Sequence, residues 1–132
     1  MNNQILIIAD DLTGANASGV LFTKKGYKTG SFMSLGNYKK INKEFEVLAM
    51  STDSRAIKEK QAYNKVYEVA NFFKKNNNIG LYNKRIDSTL RGNIGAEIDG
   101  ALDALGKDYI GIVVPSFPSS GRICIYSNII VN

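Results

Sequence analysis

Two adjacent carboxylates follow the first apolar run of the chain: "ILIIADDLTGANASG", residues 5–19, sets Asp10 and Asp11 between Ala9 and Leu12-Thr13-Gly14. Aspartates placed this way accept hydrogen bonds, orient hydroxyl groups or take a proton, and one alone can cap a helix. Three further stretches gather the same kinds of group. "STDSRA" (51–56) carries Asp53, Ser54 and Arg55, "NKRIDSTLRGN" (83–93) carries Lys84, Arg85, Asp87, Ser88, Thr89 and Arg91, and "PSFPSSGR" (115–122) ends on Gly121 and Arg122. Guanidinium forks hold a carboxylate or phosphate in a fixed plane, and neighbouring carboxylates accept hydrogen bonds from sugar hydroxyls. The combined set suits a small, anionic, polyhydroxylated ligand.

Other chemistries are excluded by residue type. The chain has no histidine, which removes Ser-His-Asp and Cys-His mechanisms and the commonest metal ligand. A single cysteine, Cys124, makes neither an internal disulfide nor a thiolate zinc site. Gly14 to Gly19 resembles the start of a phosphate-binding loop, but Val20 and Leu21 stand where Lys and Ser/Thr must reach phosphate and magnesium. Asp10-Asp11-Leu12-Thr13-Gly14 also misses the Asp-x-Asp-Gly-Thr spacing of haloacid-dehalogenase-like phosphatases. No metal ligands are therefore assigned.

The elements that must position these groups follow from apolar periodicity. Residues 4–9, 28–33, 46–50, 79–83 and 110–114 read as short strands, the last closed by Pro115. Helices fall at 13–26, with Ala15, Val20, Leu21 and Phe22 before Gly26, at 58–75, with Ala62, Val66, Val69 and Phe73, and at 93–105. That last helix places Ile94, Ile98, Ala101 and Leu105 on one stripe. The run Asn76-Asn77-Asn78 ends the second of them. Apolar strands alternating with helices predict a single α/β domain, three-layer α/β/α with a mostly parallel open sheet, Rossmann-like. Ligands of such sheets bind beyond the carboxyl ends of the strands, and all four polar stretches fall on that expected edge.

Each stretch also has a plain structural reading. Asp11 or Thr13 suits the cap of the first helix, Asp53 and Ser54 an ordinary turn, and Asp87, Ser88 and Asn93 caps of the third helix. Capping accounts for one of the tandem aspartates but not both.

At 132 residues, 44% apolar and 22% charged, the chain is one globular domain's worth. No apolar run approaches the roughly 20 residues of a membrane helix, and the N-terminus is unlike a signal peptide, so the cytoplasm is the expected compartment. The net charge of +5 comes largely from scattered pairs, Lys24-Lys25, Lys39-Lys40 and Lys74-Lys75, without the interleaved aromatics of a nucleic-acid surface. Neither nucleic acid nor a membrane is expected as a partner.

The motifs "IADDLTGAN", "TDSRA", "KRIDSTLRGN" with its following "GAEIDGALDAL", and "PSFPSSGR" together resemble the successive signatures of the four-carbon acid sugar kinases, the D-threonate and D-erythronate kinase family. The resemblance spans nearly the whole chain. It implies the family's N-terminal, substrate-binding α/β domain, and ATP-dependent phosphorylation of a hydroxyl on a four-carbon sugar acid. By the same resemblance Asp10 and Asp11 contact substrate hydroxyls, one of them as general base. Arg55 and Lys84 bind the acid, and Asp87, Ser88, Thr89, Arg91 and Arg122 complete the pocket. ATP and Mg2+ are implied as cofactors, with no site for either in this chain.

The chain departs from the family pattern at Ala17, where the family carries Asp, and after Arg122, where Ile123 to Ser127 replace Thr-Thr and a glycine. It corresponds to about the first third of a family member, so the ATP-binding domain lies outside it and activity of this chain alone is not expected. A separate nucleotide-binding chain or self-association through the apolar "ICIYSNIIV" is the expected partnership. The competing classes are a non-catalytic binding module for a small anion, nucleotide or nucleic acid, and a degenerate remnant without a ligand.

Overall fold

The computed structural model describes residues 3–39 and 44–131; Lys40 of the second lysine pair and Asn132 lie outside them. Four parallel strands, β1 (Gln4–Ala9), β2 (Thr29–Phe32), β3 (Val47–Ser51) and β4 (Ile79–Arg85), form one sheet in the order β2-β3-β1-β4. Successive side chains of a strand point to opposite faces, and this sheet buries both. On one face Ile7, Ala9, Val47 and Ala49 pack against Ala15 of α1 (Leu12–Thr23). On the other, Leu6, Ile8, Phe32, Leu48 and Met50 meet Val66, Val69, Ala70 and Phe73 of α3 (Glu59–Asn76) and Ala104 of α4 (Ile94–Leu105). The result is the three-layer α/β/α arrangement with helices on both faces that buried parallel strands require.

Two elements differ most from the sequence reading at their ends, and a third has no counterpart in it. The first helix stops at Thr23, and Gly26 follows in a turn with φ +91°. Its buried side is Gly14, Ala15 and Gly19, small residues that let the helix lie close, while Val20 and Leu21 face solvent. β4 runs on to Arg85, which carries Lys84 and Arg85 into the sheet. A short helix unmarked by apolar period, α2 (Leu35–Lys39), seats Tyr38 against Phe32 and Phe73.

The strand expected at 110–114 does not form. Ile110, Ile112, Val113 and Val114 are 84%, 80%, 55% and 72% exposed and belong to no ladder. A crossover through α4 would lay this segment on the outer edge of β4, but α1 sits over β1, β2 and β3. Only the carboxyl end of β4 reaches α1, at Arg85, and the rest of that side is uncovered, with Leu81 52% exposed. A strand apolar on both faces lacks a cover there. An apolar cavity of about 450 Å3 remains between β4, α4 and residues 109–114. The end of the chain is a hairpin, β5 (Arg122–Ile125) with β6 (Asn128–Val131), turned at Tyr126 and Ser127, both at positive φ as a type I′ turn requires. Among the described residues no helix is long and apolar enough to cross a membrane.

The α4 stripe is rotated from its expected position. Glu97, Gly100, Ala104 and Leu105 are its buried residues, whereas Ile94, Ile98 and Ala101 are half-buried. Gly100 explains the tight α3–α4 crossing, because a Cβ there would stand 2.5 Å from the backbone oxygen of Tyr63. Neither helix backbone can yield locally, so Gly100→Ala is expected to destabilise the fold by about 1–3 kcal/mol. Urea unfolding followed by circular dichroism checks this through a lower midpoint.

Candidate functional site

The parallel register sets the ends of three strands level. Ala9 of β1 pairs with Ser51 of β3 on one side and with Arg85 of β4 on the other. From β1 the chain turns to α1 on one face, and from β3 to α3 on the other, so the crevice beyond these ends is the topological switch point of the sheet. Asp10 and Asp11 leave β1 there, Thr52 to Arg55 leave β3, and Asp87 follows β4.

Arg55 joins the three. Its Nε and Nη2 donate to Asp10 Oδ2 and Oδ1 at 2.7 and 3.0 Å, a bidentate pair, and Nη1 reaches Asp11 Oδ2 at 2.6 Å. Nη2 also lies 3.6 Å from Asp87 Oδ1. The hydrogen bond to Asp10 and the three surrounding carboxylates raise the guanidinium pKa, against the opposing effect of burial. Asp10 is 3% exposed and its backbone carbonyl accepts from Ser54 N at 2.9 Å, so both its side chain and main chain are fixed by the β3 loop. Asp11 is the N-cap of α1, accepting from Gly14 N at 2.6 Å, as the capping reading expected. A Cβ on Gly14 would stand 2.8 Å from that carboxylate, so the residue there must be glycine for Asp11 to sit as it does.

Asp87 organises the third loop. Its Oδ2 accepts from Thr89 N and Oγ1 at 3.0 and 2.6 Å and from Arg91 Nε at 2.9 Å; Oδ1 accepts from Arg91 Nη2 at 2.8 Å. The Arg91 guanidinium, and then the Thr89 hydrogen bonds, hold the Asp87 carboxyl well below its ordinary value despite burial. Asp87 raises the Arg91 pKa in turn. Gly92, at φ +95°, folds the end of the loop onto Arg55: a Cβ there would lie 3.2 Å from Asp10 Oδ2 and 3.4 Å from Arg55 Cγ. Ser88 is half-buried at the turn without a side-chain bond among the described residues.

Beneath this cluster runs a buried chain of polar groups on the α3–α4 side. Lys84 Nζ pairs with Glu97 Oε2 at 2.6 Å and donates to the Arg85 carbonyl. Ser54 Oγ donates to Glu97 Oε1 at 2.6 Å, lies 2.6 Å from Thr52 Oγ1, and Thr52 donates to the Ala9 carbonyl. Asn93 precedes α4 without capping it; its amide donates to the carbonyls of Ser54 and Ile57. Lys65 ties the carbonyls of Thr52 and Asp53 from α3.

Asp10, Asp11, Arg55, Asp87, Thr89 and Arg91 are thus brought into one network, and Lys84 lies directly below it. Arg122 is not. It opens β5, and its guanidinium is bonded to the carbonyl of Ser120 in its own loop. The expectation of four loops on one edge required a fifth strand at 110–114, and without it three converge. Glu97 and Thr52 were missed by residue-type reasoning. An acidic residue in the first turn of a helix reads as a complement to its dipole, and its burial depends on Lys84 in another element.

The charged groups of the cluster are paired with one another. The α1 amide that would face a phosphate is occupied by Asp11, and the three carboxylates are already gathered on one guanidinium. Among the described residues no group of three metal-ligating side chains is arranged to hold an ion.

The chain is a Rossmann-like α/β domain with carboxylates and guanidiniums interlocked at its switch point. The chain belongs to the family of the sugar-binding N-terminal domain, whose profile matches residues 5–132. It is 50% identical over 131 residues to a D-erythronate kinase of Heliobacterium modesticaldum, covering 98% of this chain and 30% of that relative. It is 35% identical to a D-threonate kinase of Salmonella typhimurium, again covering 98% and 30%. A solved Bordetella bronchiseptica structure of a domain of unknown function, a domain-swapped dimer with bound citrate, superposes with a TM-score of 0.92 at 33% identity, covering 99% of this chain and 34% of that one. The chain therefore spans about a third of these relatives' length, matching their N-terminal sugar-binding domain.

The lowered pKa of Asp87 gives the fold a defined acid response. A carboxyl whose folded pKa lies below its unfolded value adds stability above that value, 3.8 here, and loses it as the pH falls further. The melting temperature of the chain is expected to drop between pH 4 and pH 2. Asp87→Asn should cost about 1–3 kcal/mol at neutral pH by removing charge-assisted hydrogen bonds, and should flatten that acid limb. Melting curves across pH for both proteins measure it.

Proposed function

We propose that this chain is the sugar-acid-binding part of a kinase that phosphorylates a hydroxyl of a four-carbon sugar acid of the erythronate or threonate type. The observation that carries the reading is the convergence of Asp10, Asp11 and Asp87 on Arg55 at the carboxyl ends of β1, β3 and β4. Its family, the names of its kinase relatives and the citrate held by the Bordetella structure support the same ligand class.

Within this reading the tandem aspartates divide their work. Asp10 has both oxygens on Arg55 and a side chain 4% exposed, which suits a positioning residue. Asp11 has a side chain 26% exposed at the mouth of the crevice and is the candidate to accept the proton of the acceptor hydroxyl. Arg55, Lys84 and the segment Asp87, Ser88, Thr89 and Arg91 shape the pocket, and Arg122 stays outside it. ATP with its magnesium supplies the phosphoryl group in such a kinase, and no residue of this cluster is assigned to either. The compartment consistent with the exposed free thiol of Cys124 is the reducing cytoplasm.

A second copy of the chain is the partner this reading adds. The outer edge of β4 is unpaired and residues 110–114 present bare β-branched side chains, a pairing edge and a strand to exchange. Light scattering after size exclusion should report a dimer at micromolar concentration; a monomer throughout removes the second copy.

The ligand class is tested by thermal shift of the chain with D-erythronate, D-threonate, ATP and a short oligonucleotide. Stabilisation by the sugar acids alone is expected. Stabilisation only by ATP or the oligonucleotide replaces the reading with a nucleotide or nucleic-acid module, and a flat response to all four favours a remnant without ligand. In a complete kinase carrying this domain, Asp11→Asn should lower kcat by about 10²–10⁴-fold with sugar-acid affinity changed less than tenfold. Equal loss of affinity would reassign Asp11 to recognition.

A further inference from the structure

The loop after β3 is anchored at two residues, and a strained one spans the gap between them. Thr52 is fixed to the end of β1, its N and Oγ1 donating to the Ala9 carbonyl at 2.9 and 3.0 Å. Ser54 is fully buried with its polar atoms engaged: N on the Asp10 carbonyl, Oγ on Glu97, and its carbonyl accepting from Asn93 Nδ2. Asp53, between them, sits at φ +46°, in the left-handed region. Aspartate enters that region at lower cost when its carboxylate bonds locally. This carboxylate is exposed and, among the described residues, forms no ion pair.

One cation meets the backbone that results. Lys65 Nζ, from α3, donates to the Thr52 carbonyl at 2.9 Å and to the Asp53 carbonyl at 3.1 Å, so two successive carbonyls face a single ammonium. Among the described residues that ammonium has no carboxylate partner, and its charge is given to the loop alone. Returning Asp53 to an ordinary negative φ would rotate the peptide that carries the Thr52 carbonyl and take it off Lys65. A charge-assisted pair of hydrogen bonds thus opposes the release of a backbone strain of comparable size.

We propose that Lys65 is a positioning residue of the crevice: by bonding both carbonyls it holds Asp53 left-handed, and this sets the direction from which Arg55 reaches its aspartates. Arg55 follows Asp53 by two residues, and its fork meets Asp10 at 2.7 and 3.0 Å. Hydrogen bonds of that kind weaken steeply with misalignment, so a small turn of the loop is enough to open the fork. The effect on Arg55 stands on the loop geometry; only its consequence for affinity rests on the sugar-acid reading above.

Nuclear magnetic resonance of the isotope-labelled chain tests it without a ligand, through the rate at which the Arg55 Nε–H, held on Asp10, exchanges with water. Lys65→Met should speed that exchange by roughly tenfold, and adding Asp53→Gly should restore most of the protection, because glycine takes a positive φ without strain. If exchange is unchanged in Lys65→Met, or the added glycine restores nothing, the inference is wrong. Circular dichroism establishes that the variants are folded; Lys65→Gln replaces Lys65→Met, with the same outcomes, where the latter is not. Calorimetric titration with D-erythronate then follows the consequence. Lys65→Met should weaken binding by about three- to tenfold and the double variant should recover it, with Asp53→Gly alone as the measure of the lost charge. Additive effects of the two substitutions would make Lys65 a distant charge and overturn its positioning role. If the wild type binds no sugar acid while the exchange rates change as expected, the sugar-acid reading falls and the hold of Lys65 on Arg55 survives.

Discussion

One guanidinium holds the crevice together. Asp10, Asp11 and Asp87 come from the ends of two strands, and the parallel register brings those ends within reach of a single side chain from a third. Three carboxylates gathered without a cation repel one another, and at partial burial that repulsion is poorly screened. Arg55 turns the repulsion into attraction and uses its fork to fix the directions of Asp10 and Asp11 at once. The depth of β1 in the sheet, the cap of α1 and the closing of the Asp87 loop over Gly92 all converge on that one group. Its loss would leave Asp10 charged and buried with no counter-ion, which is a heavier penalty than the net worth of the pair.

The layer below supports it by a different means. Lys84, Glu97, Ser54 and Thr52 form a chain from β4 through α4 to the β3 loop and the end of β1. A buried ion pair of this kind contributes little net stability over apolar packing, but each partner is costly to orphan, so the arrangement selects one conformation of the loop that carries Arg55. Gly100 serves the same end from a distance. By letting α4 approach Tyr63 it brings Glu97 deep enough to meet Lys84 and Ser54.

What the sequence disclosed depends on the range of the interaction concerned. β1 and β3 were legible because their apolar runs are local and almost wholly buried, and α3 because its apolar stripe, Ala62, Val66, Val69 and Phe73, is the face it buries. The site aspartates and Arg55 were legible because residue type and position after a strand suffice to nominate them. Glu97 was not, since its burial follows from a lysine on another element. Segment 110–114 has every local mark of a strand and still pairs with nothing, because a parallel strand needs cover on both faces and α1 does not extend past β4. Arg122 was expected beside the other loops partly through that strand; it lies instead in the following hairpin, bonded to the carbonyl of Ser120. The five-residue α2 carries one local signal, Ser34 accepting from the backbone of Asn37, too short to register as a period.

The interlocking of charges also bears on how a ligand is met. Loop backbones at a binding site usually gain order from the ligand, and that ordering lowers affinity. Here Leu90, a bulky residue at φ +59°, is held in the left-handed region between the Asp87 turn and Gly92 by contacts internal to the chain. The same internal pairing that fixes the loops also withdraws Arg55, Arg91 and Lys84 from direct competition for an incoming carboxylate, because each already faces one at hydrogen-bonding distance. A cluster preorganised by self-neutralisation gains rigidity and gives up free charge: Arg55 and Arg91 are both spent on the three aspartates they face.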